Sequence, residues 1–196
     1  MIVVKLGGSL YNTLELKLWL QTLADISISI PIVIVPGGGP FADQVRDAQI
    51  HHHFNDAVAH HMALIAMKQY GLMLIGLEEK CQLFNAYKPK QPLSVWLPED
   101  SLLSEPALPH SWDLSSDSIA LWLASKLEAE QLLLVKHVHV SNSSIQQLTS
   151  NQVIDRSFAD IFAGYSIPTR IIHYQSYVRF ADIIANHGNE TNLYLP

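Results

Sequence analysis

The chain has 196 residues, 48% hydrophobic and 15% charged, a balance that excludes a disordered chain and suits one domain with a sheet buried on both faces. The formal net charge of -6 leaves no overall positive field to hold nucleic acid, and Cys81, the single cysteine, excludes an internal disulfide and suits a reducing cytoplasm. The opening residues read as strand and turn rather than as an export signal, and every apolar run breaks well before the roughly 20 residues a membrane helix needs, so no membrane partner is expected.

Ile2 to Leu6 is a β-branched run closed by Gly7, Gly8 and Ser9, and Leu14, Leu16, Leu18, Trp19, Leu20 and Leu23 then predict a buried helix. Residues 31–35 repeat the pattern, with a short apolar strand, the loop PGGGP, and a helix starting near Phe41. Residues 55–77 are helix-compatible, with Gly71 and Gly76 as expected breaks. A strand at 93–97 precedes a proline-rich loop. Ser115 or Ser116 caps a helix bearing Ile119, Trp122, Leu123 and Leu127, which leads into a strand over 131–140. A polar loop at 141–150, a strand at 170–173, a helix at 177–187 and a last strand at 192–195 complete the reading. Alternating strands and helices with apolar strands imply a mainly parallel sheet between helix layers.

Glycines at strand ends let backbone N–H groups close on an anion, and a following helix adds its positive end. Lys5 stands two residues before Gly7, within reach of a phosphate held there. Each loop alone reads equally well as a tight turn. Together they lie on the carboxyl edge of one parallel sheet, where they can clamp one phosphate chain from two sides. The P-loop pattern is absent. Gly37, Gly39 and Ala42 do satisfy a dinucleotide fingerprint with Asp56 downstream, but that fingerprint belongs in the first strand-to-helix turn, which the Lys5 loop already occupies.

Asp117 falls in the first turn of its helix, where the dipole favours a carboxylate whether or not it has a task. Beside two phosphate loops it can orient Lys5 and a second cation, which is what phosphoryl transfer needs.

The segments VKLGGSL, PIVIVPGGGPFADQVR and HSWDLSSDSIALWLA, in this order, resemble the amino acid kinase superfamily across most of the chain. Within it, the SW…SSDS segment, the FADQVR helix and RIIHYQSYVRFADII look most like the aminomethylfuran phosphate kinases of methanofuran biosynthesis. The resemblance implies one amino acid kinase-like domain over 1–196, a three-layer αβα sandwich of carbamate kinase-like fold, ATP with Mg²⁺, and homo-oligomers. By position, Lys5, Gly7, Gly8, Ser9 and Ser116 hold ATP phosphates, Gly37, Gly38 and Gly39 face the transferred group, Asp117 organises the lysines, and Arg46 and His60 stand on the acceptor side. The acceptor it implies is a small phosphate-bearing molecule. One segment departs from the pattern: where relatives often read TDVDG, this chain has KHVHV at 136–140. Lys136 then becomes a displaced phosphate cation, or the chain is a catalytically weak nucleotide- or phosphometabolite-binding protein.

Of the histidines, His51, His52 and His53 with His60 and His61 read as an exposed polar run rather than a metal site, because adjacent helix residues point apart. His137 and His139 are expected on one face of a strand.

Overall fold

The computed structural model describes residues 1–84, 89, 91–140, 143–165 and 167–185. Six strands, β1 (Ile2–Leu6), β2 (Ile32–Pro36), β3 (Gln82–Phe84), β4 (Leu93–Trp96), β5 (Gln131–Lys136) and β6 (Thr169–His173), form one sheet in the order β3-β4-β2-β1-β5-β6, every pair parallel. Parallel strands are joined by crossovers that cover both faces, so β1, β2 and β4 are buried along their whole length and read as continuous apolar runs.

The period of two sorts these runs between two cores. Val3, Val33, Val35, Leu132, Leu134 and Ile171 face helix α4 (Ser116–Lys126). Ile2, Val4, Leu6, Ile34, Leu133 and Val135 face α1 (Glu15–Ile26) and α7 (Phe180–Ala185). The result is the expected three-layer αβα sandwich. Helix α4 is buried from Asp117 to Ala124, with the outer helix α6 (Phe158–Ala163) packed against it, and Trp122, with 1% of its surface exposed, lies 6.5 Å from the Trp96 ring of β4. On the other face Trp19 of α1 buries its ring, and its Nε1 donates to the Tyr174 carbonyl at 2.6 Å, which satisfies the one polar atom it carries inward.

Several expectations need correction. Residues 56–77 form one unbroken helix, α3 (Asp56–Leu77), which follows α2 (Gly39–His52). Gly71 is not a break: a Cβ there would lie 2.4 Å from Leu97 Cδ2 and 3.2 Å from Pro36 Cγ, so the missing side chain lets α3 close on the sheet. The fifth strand stops at Lys136, and His137 and His139 leave the sheet to stack on Tyr174 and His173, at 3.9 and 3.6 Å between ring centroids. His51 and His52 end α2, and His53 is its left-handed cap with φ 56°, so the run closes a helix rather than forming a loop. The polar stretch before Ser150 contains α5 (Ile145–Ser150), started by a capping box between Ser144 and Gln147. The helix expected from 177 is a 3-10 turn at Ser176–Arg179 followed by α7, and its end at 186 and 187 lies outside the described residues, as does the strand expected at 192–195.

Candidate active site

The register places Leu6 beside Pro36 and Val135, so the loop after β1 and the loop after β2 leave the sheet side by side. They touch through their backbones. A Cβ on Gly8 would lie 2.2 Å from the Gly39 nitrogen, and one on Gly37 would lie 2.5 Å from the Gly8 nitrogen. Gly39 has φ +55°, which side chains rarely adopt, and it opens α2 with no side chain capping the first turn. Glycine is therefore required here by backbone contact, and the uncapped first turn of α2 leaves its N–H groups available to an anion.

β1 connects onward to β2 on one side and lies against β5 on the other, so the switch point of the sheet falls between β1 and β5. Lys5 is the last residue but one of β1 and Lys136 ends β5, and the alternation of side chains turns both toward the α4 face. Between them stands Asp117, 2% exposed, in the first turn of α4. Lys5 Nζ is 2.9 Å from Asp117 Oδ1, and Lys136 Nζ donates to Asp117 Oδ2. Burial opposes ionising Asp117, but Lys136 and Lys5 outweigh it and hold the carboxyl at about 2. The Lys5 ammonium is pushed down by burial and by Lys136, against the pull of Asp117. Two lysines thus share one carboxylate at the head of the sheet, with Asp155 as a second carboxylate on the same cavity.

Sequence reasoning missed the residue that aims Asp117. Asp155, in the turn between α5 and α6, takes Ser115 N at 3.0 Å, Ser115 Oγ at 2.7 Å and Ser118 N at 3.1 Å on one carboxylate oxygen, and Ser118 Oγ on the other. Ser115 Oγ in turn accepts from Asp117 N at 3.2 Å and is the helix cap, while Ser116 follows as the first helical residue. Burial and the nearby Asp117 charge raise the Asp155 carboxyl, against the hydrogen bonds from Ser115 and Ser118. The only local signal was the serine run. The acid that binds it lies 37 to 40 residues further along the chain.

Two cavities meet at this point. One, of about 460 Å³, lies between Gly8, Ser9, Gly37, Gly38 and Gly39 on one side and Arg46, His60 and Trp112 on the other. The second, of about 810 Å³, is lined by Lys5, Asp117, Lys136 and Asp155. Arg46, Trp112 and Ser115 line both. The structure therefore gathers Gly8, Ser9, Gly37, Gly38, Gly39, Arg46, His60 and Ser116 around one cavity, and Lys5, Asp117 and Lys136 around the other, while Gly7 supports the turn. His60 is buried and stacked on His110 at 5.2 Å, and burial with its neighbours His110 and His61 lowers it to about 4. Asp56, the ribose ligand of the dinucleotide alternative, instead accepts Gln49 Nε2 at 2.9 Å.

A parallel αβα sandwich with paired glycine loops and a shared lysine carboxylate at its switch point has the form of a phosphotransferase. The model of the amino acid kinase family matches residues 1–96. The chain is 26% identical over 210 residues to the [5-(aminomethyl)furan-3-yl]methyl phosphate kinase of Methanocaldococcus jannaschii, across 96% of this chain and 95% of that protein. Its fold is similar to the uridylate kinase of Archaeoglobus fulgidus (TM-score 0.70, 15% identity, 98% of this chain and 97% of that one). It is also similar to the UMP kinase of Ureaplasma parvum (TM-score 0.69, 13% identity, 99% and 98%). The chain resembles the amino acid kinase superfamily, as its motifs suggest, and these likenesses support a phosphotransferase.

Proposed function

We propose that this kinase transfers the γ-phosphoryl group of ATP to a small phosphate monoester, an aminomethylfuran phosphate in methanofuran-type one-carbon cofactor biosynthesis. The acceptor class is supported by the name of the M. jannaschii relative, which aligns over nearly the whole chain. The observation that carries phosphoryl transfer is the Lys5–Asp117–Lys136 arrangement: two cations on one buried carboxylate, at the border of a glycine-lined cavity.

In this reading an oxygen of the acceptor phosphate attacks the γ-phosphorus, the bond from that phosphorus to the β,γ-bridging oxygen breaks, and ADP leaves with the electron pair. The acceptor oxygen is already ionised near neutral pH, since the second pKa of a phosphate ester is about 6, so no base has to take a proton. His60, lowered to about 4, is poorly suited to act as one. Lys5 and Lys136 face the charge that spreads over the phosphoryl oxygens, and the loop N–H groups hold them in place.

ATP fits the residues present, because the two glycine loops, packed backbone to backbone, line a cavity that adjoins the Lys5 and Lys136 ammonium groups. For Mg²⁺ the donor set differs. Among the described residues no three His, Cys, Asp or Glu side chains form a metal cluster, Asp117 is taken by lysines and Asp155 by serines. Mg²⁺ would therefore be held chiefly by phosphate oxygens, where it neutralises charge, as is common for this ion.

Lys136 belongs to the segment that departs from the family pattern, yet it stands beside Lys5 on Asp117. That placement favours catalysis over a binding-only role. No helix among the described residues is long and apolar enough to cross a membrane, and a single domain, a cytoplasmic location and a homo-oligomeric state belong to the same proposal. The test supplies ATP, Mg²⁺ and either the aminomethylfuran phosphate or the corresponding alcohol, with products identified by mass spectrometry. A diphosphate formed only from the phosphate is expected; phosphorylation of the alcohol with none of the phosphate refutes the assignment.

A further inference from the structure

Asp43 and Arg46 lie one turn apart on α2, with Arg46 Nη1 3.0 Å from Asp43 Oδ1. The guanidinium carbon of Arg46 lies 4.4 Å from the centroid of the Trp112 ring, and Trp112 Nε1 donates to Gln49 Oε1 at 2.6 Å, so the indole is fixed to the same helix that carries the arginine. Gln49 is itself held, donating to the Phe54 carbonyl at 3.1 Å and to Asp56 at 2.9 Å. Arg46 thus sits between a carboxylate and an indole face, at the junction of the two cavities.

Of the described residues lining the 460 Å³ cavity, Asp43 is the only carboxylate and Arg46 the only permanent cation. His60 is neutral above pH 4 or so. Much of the remaining wall is apolar, with Leu64, Met67 and Ile119 on one side and the Tyr11 ring on another. Such a cavity suits a ligand with a small flat apolar body that carries one charge of each sign. The two side chains are 67% and 52% exposed, so their mutual pairing is weak and easily exchanged for a ligand's groups.

We infer that the Asp43–Arg46 pair opens when the acceptor binds: Arg46 takes the acceptor's phosphate and Asp43 takes its primary ammonium, so that Asp43 selects for an aminated acceptor. This rests on the acceptor class proposed above. Arginine matches a phosphate with a rigid pair of donors, while a carboxylate accepts from an ammonium in a charge-assisted bond that a neutral substituent cannot make. Trp112 keeps the guanidinium in place during the exchange.

Initial rates with ATP and Mg²⁺ test this, comparing the aminomethylfuran phosphate with its counterpart carrying methyl in place of aminomethyl, in the wild type, Asp43→Asn and Asp43→Glu. The wild type is expected to prefer the amine by about tenfold or more in kcat/KM, the size of one charged hydrogen bond. Asp43→Asn should lose most of that preference and Asp43→Glu should retain part of it. If both acceptors are turned over and Asp43→Asn keeps the preference, or lowers both rates equally, the ammonium role is wrong and the proposed function stands. A wild type that turns over neither acceptor overturns the acceptor class and this inference with it.

Discussion

Lys5 Nζ lies 2.9 Å from Asp117 Oδ1, an ion pair whose side chains are 7% and 3% exposed. Two charges removed this far from water persist only because each has a partner and because Lys136 closes the set. Lys5→Ala leaves Asp117 paired with Lys136, so the protein should remain folded while turnover falls about 10²- to 10³-fold, the loss typical of one preorganised transition-state contact. Asp117→Asn leaves two facing ammonium groups without their counter-charge. It should cost about 3 kcal/mol in urea unfolding, by the usual penalty for breaking a buried pair. It should also lower kcat more than ATP affinity measured by calorimetry. Unchanged turnover in either folded variant would remove that residue from the mechanism.

Acid should act on stability in two separate windows. His60 has its folded value lowered to about 4 from an ordinary 6.5, so the unfolded chain binds the proton first. Its contribution is present above about 6.5 and is lost as pH falls toward 4. It is worth about 2 kcal/mol after allowing for partial solvation of the ring, on the basis of 1.36 kcal/mol per unit. Asp117, lowered to about 2 from 3.8, contributes above 3.8 and loses that contribution as pH falls through 2. Asp155 is shifted the other way, so its protonation favours the folded state; that gain comes above 3.8, before the second loss begins, and partly offsets the first. Urea titrations between pH 2 and 8 should show the first slope vanish in His60→Gln and the second in Asp117→Asn. A first slope left unchanged in His60→Gln would exclude a buried neutral His60.

The glycines should divide by what a Cβ would meet. Gly8→Ala drives a methyl into the backbone of Gly39, and Gly37→Ala into that of Gly8. Each should cost about 1 to 3 kcal/mol, as overpacking does, and spread the phosphate loops, so that nucleotide binding is lost together with stability. Gly76→Ala meets nothing within 4 Å near the end of α3 and should stabilise by about 0.5 kcal/mol, by the helix preference of alanine. Thermal melts of the three variants check the ordering. A Gly8→Ala protein as stable as wild type would mean that the loops do not touch.

Much of the sandwich was legible in the chain because its signals are local. Apolar runs ending in glycine mark β1 and β2, and the two-residue alternation that buries Val3 also turns Lys5 toward α4. A serine before an acid and an apolar helix marks the start of α4, where Ser115 indeed caps. Short elements were lost where these signals are weak: α5 is IQQLTS, too polar and too brief for any period to show, and β3 has two of its three residues exposed at the sheet edge.

What the sequence by itself determined is therefore the set of chemical groups and the strand ends that carry them: Lys5 before Gly7, the second glycine loop, and Asp117 in a helix's first turn. Only the tertiary structure decided which of these groups meet. The order of the sheet puts β5 next to β1, and that adjacency brings Lys136 to Asp117 across 19 residues of sequence. The packing of the turn between α5 and α6 on α4 brings Asp155 to Ser115 and Ser118, and the bond from Trp112 in the loop before α4 to Gln49 of α2 brings its ring over Arg46. Hydrogen bonds and ion pairs depend on distances of a few ångströms, and for residues dozens of positions apart no pattern along the chain encodes that distance; burial of the apolar faces, which is non-directional, sets it.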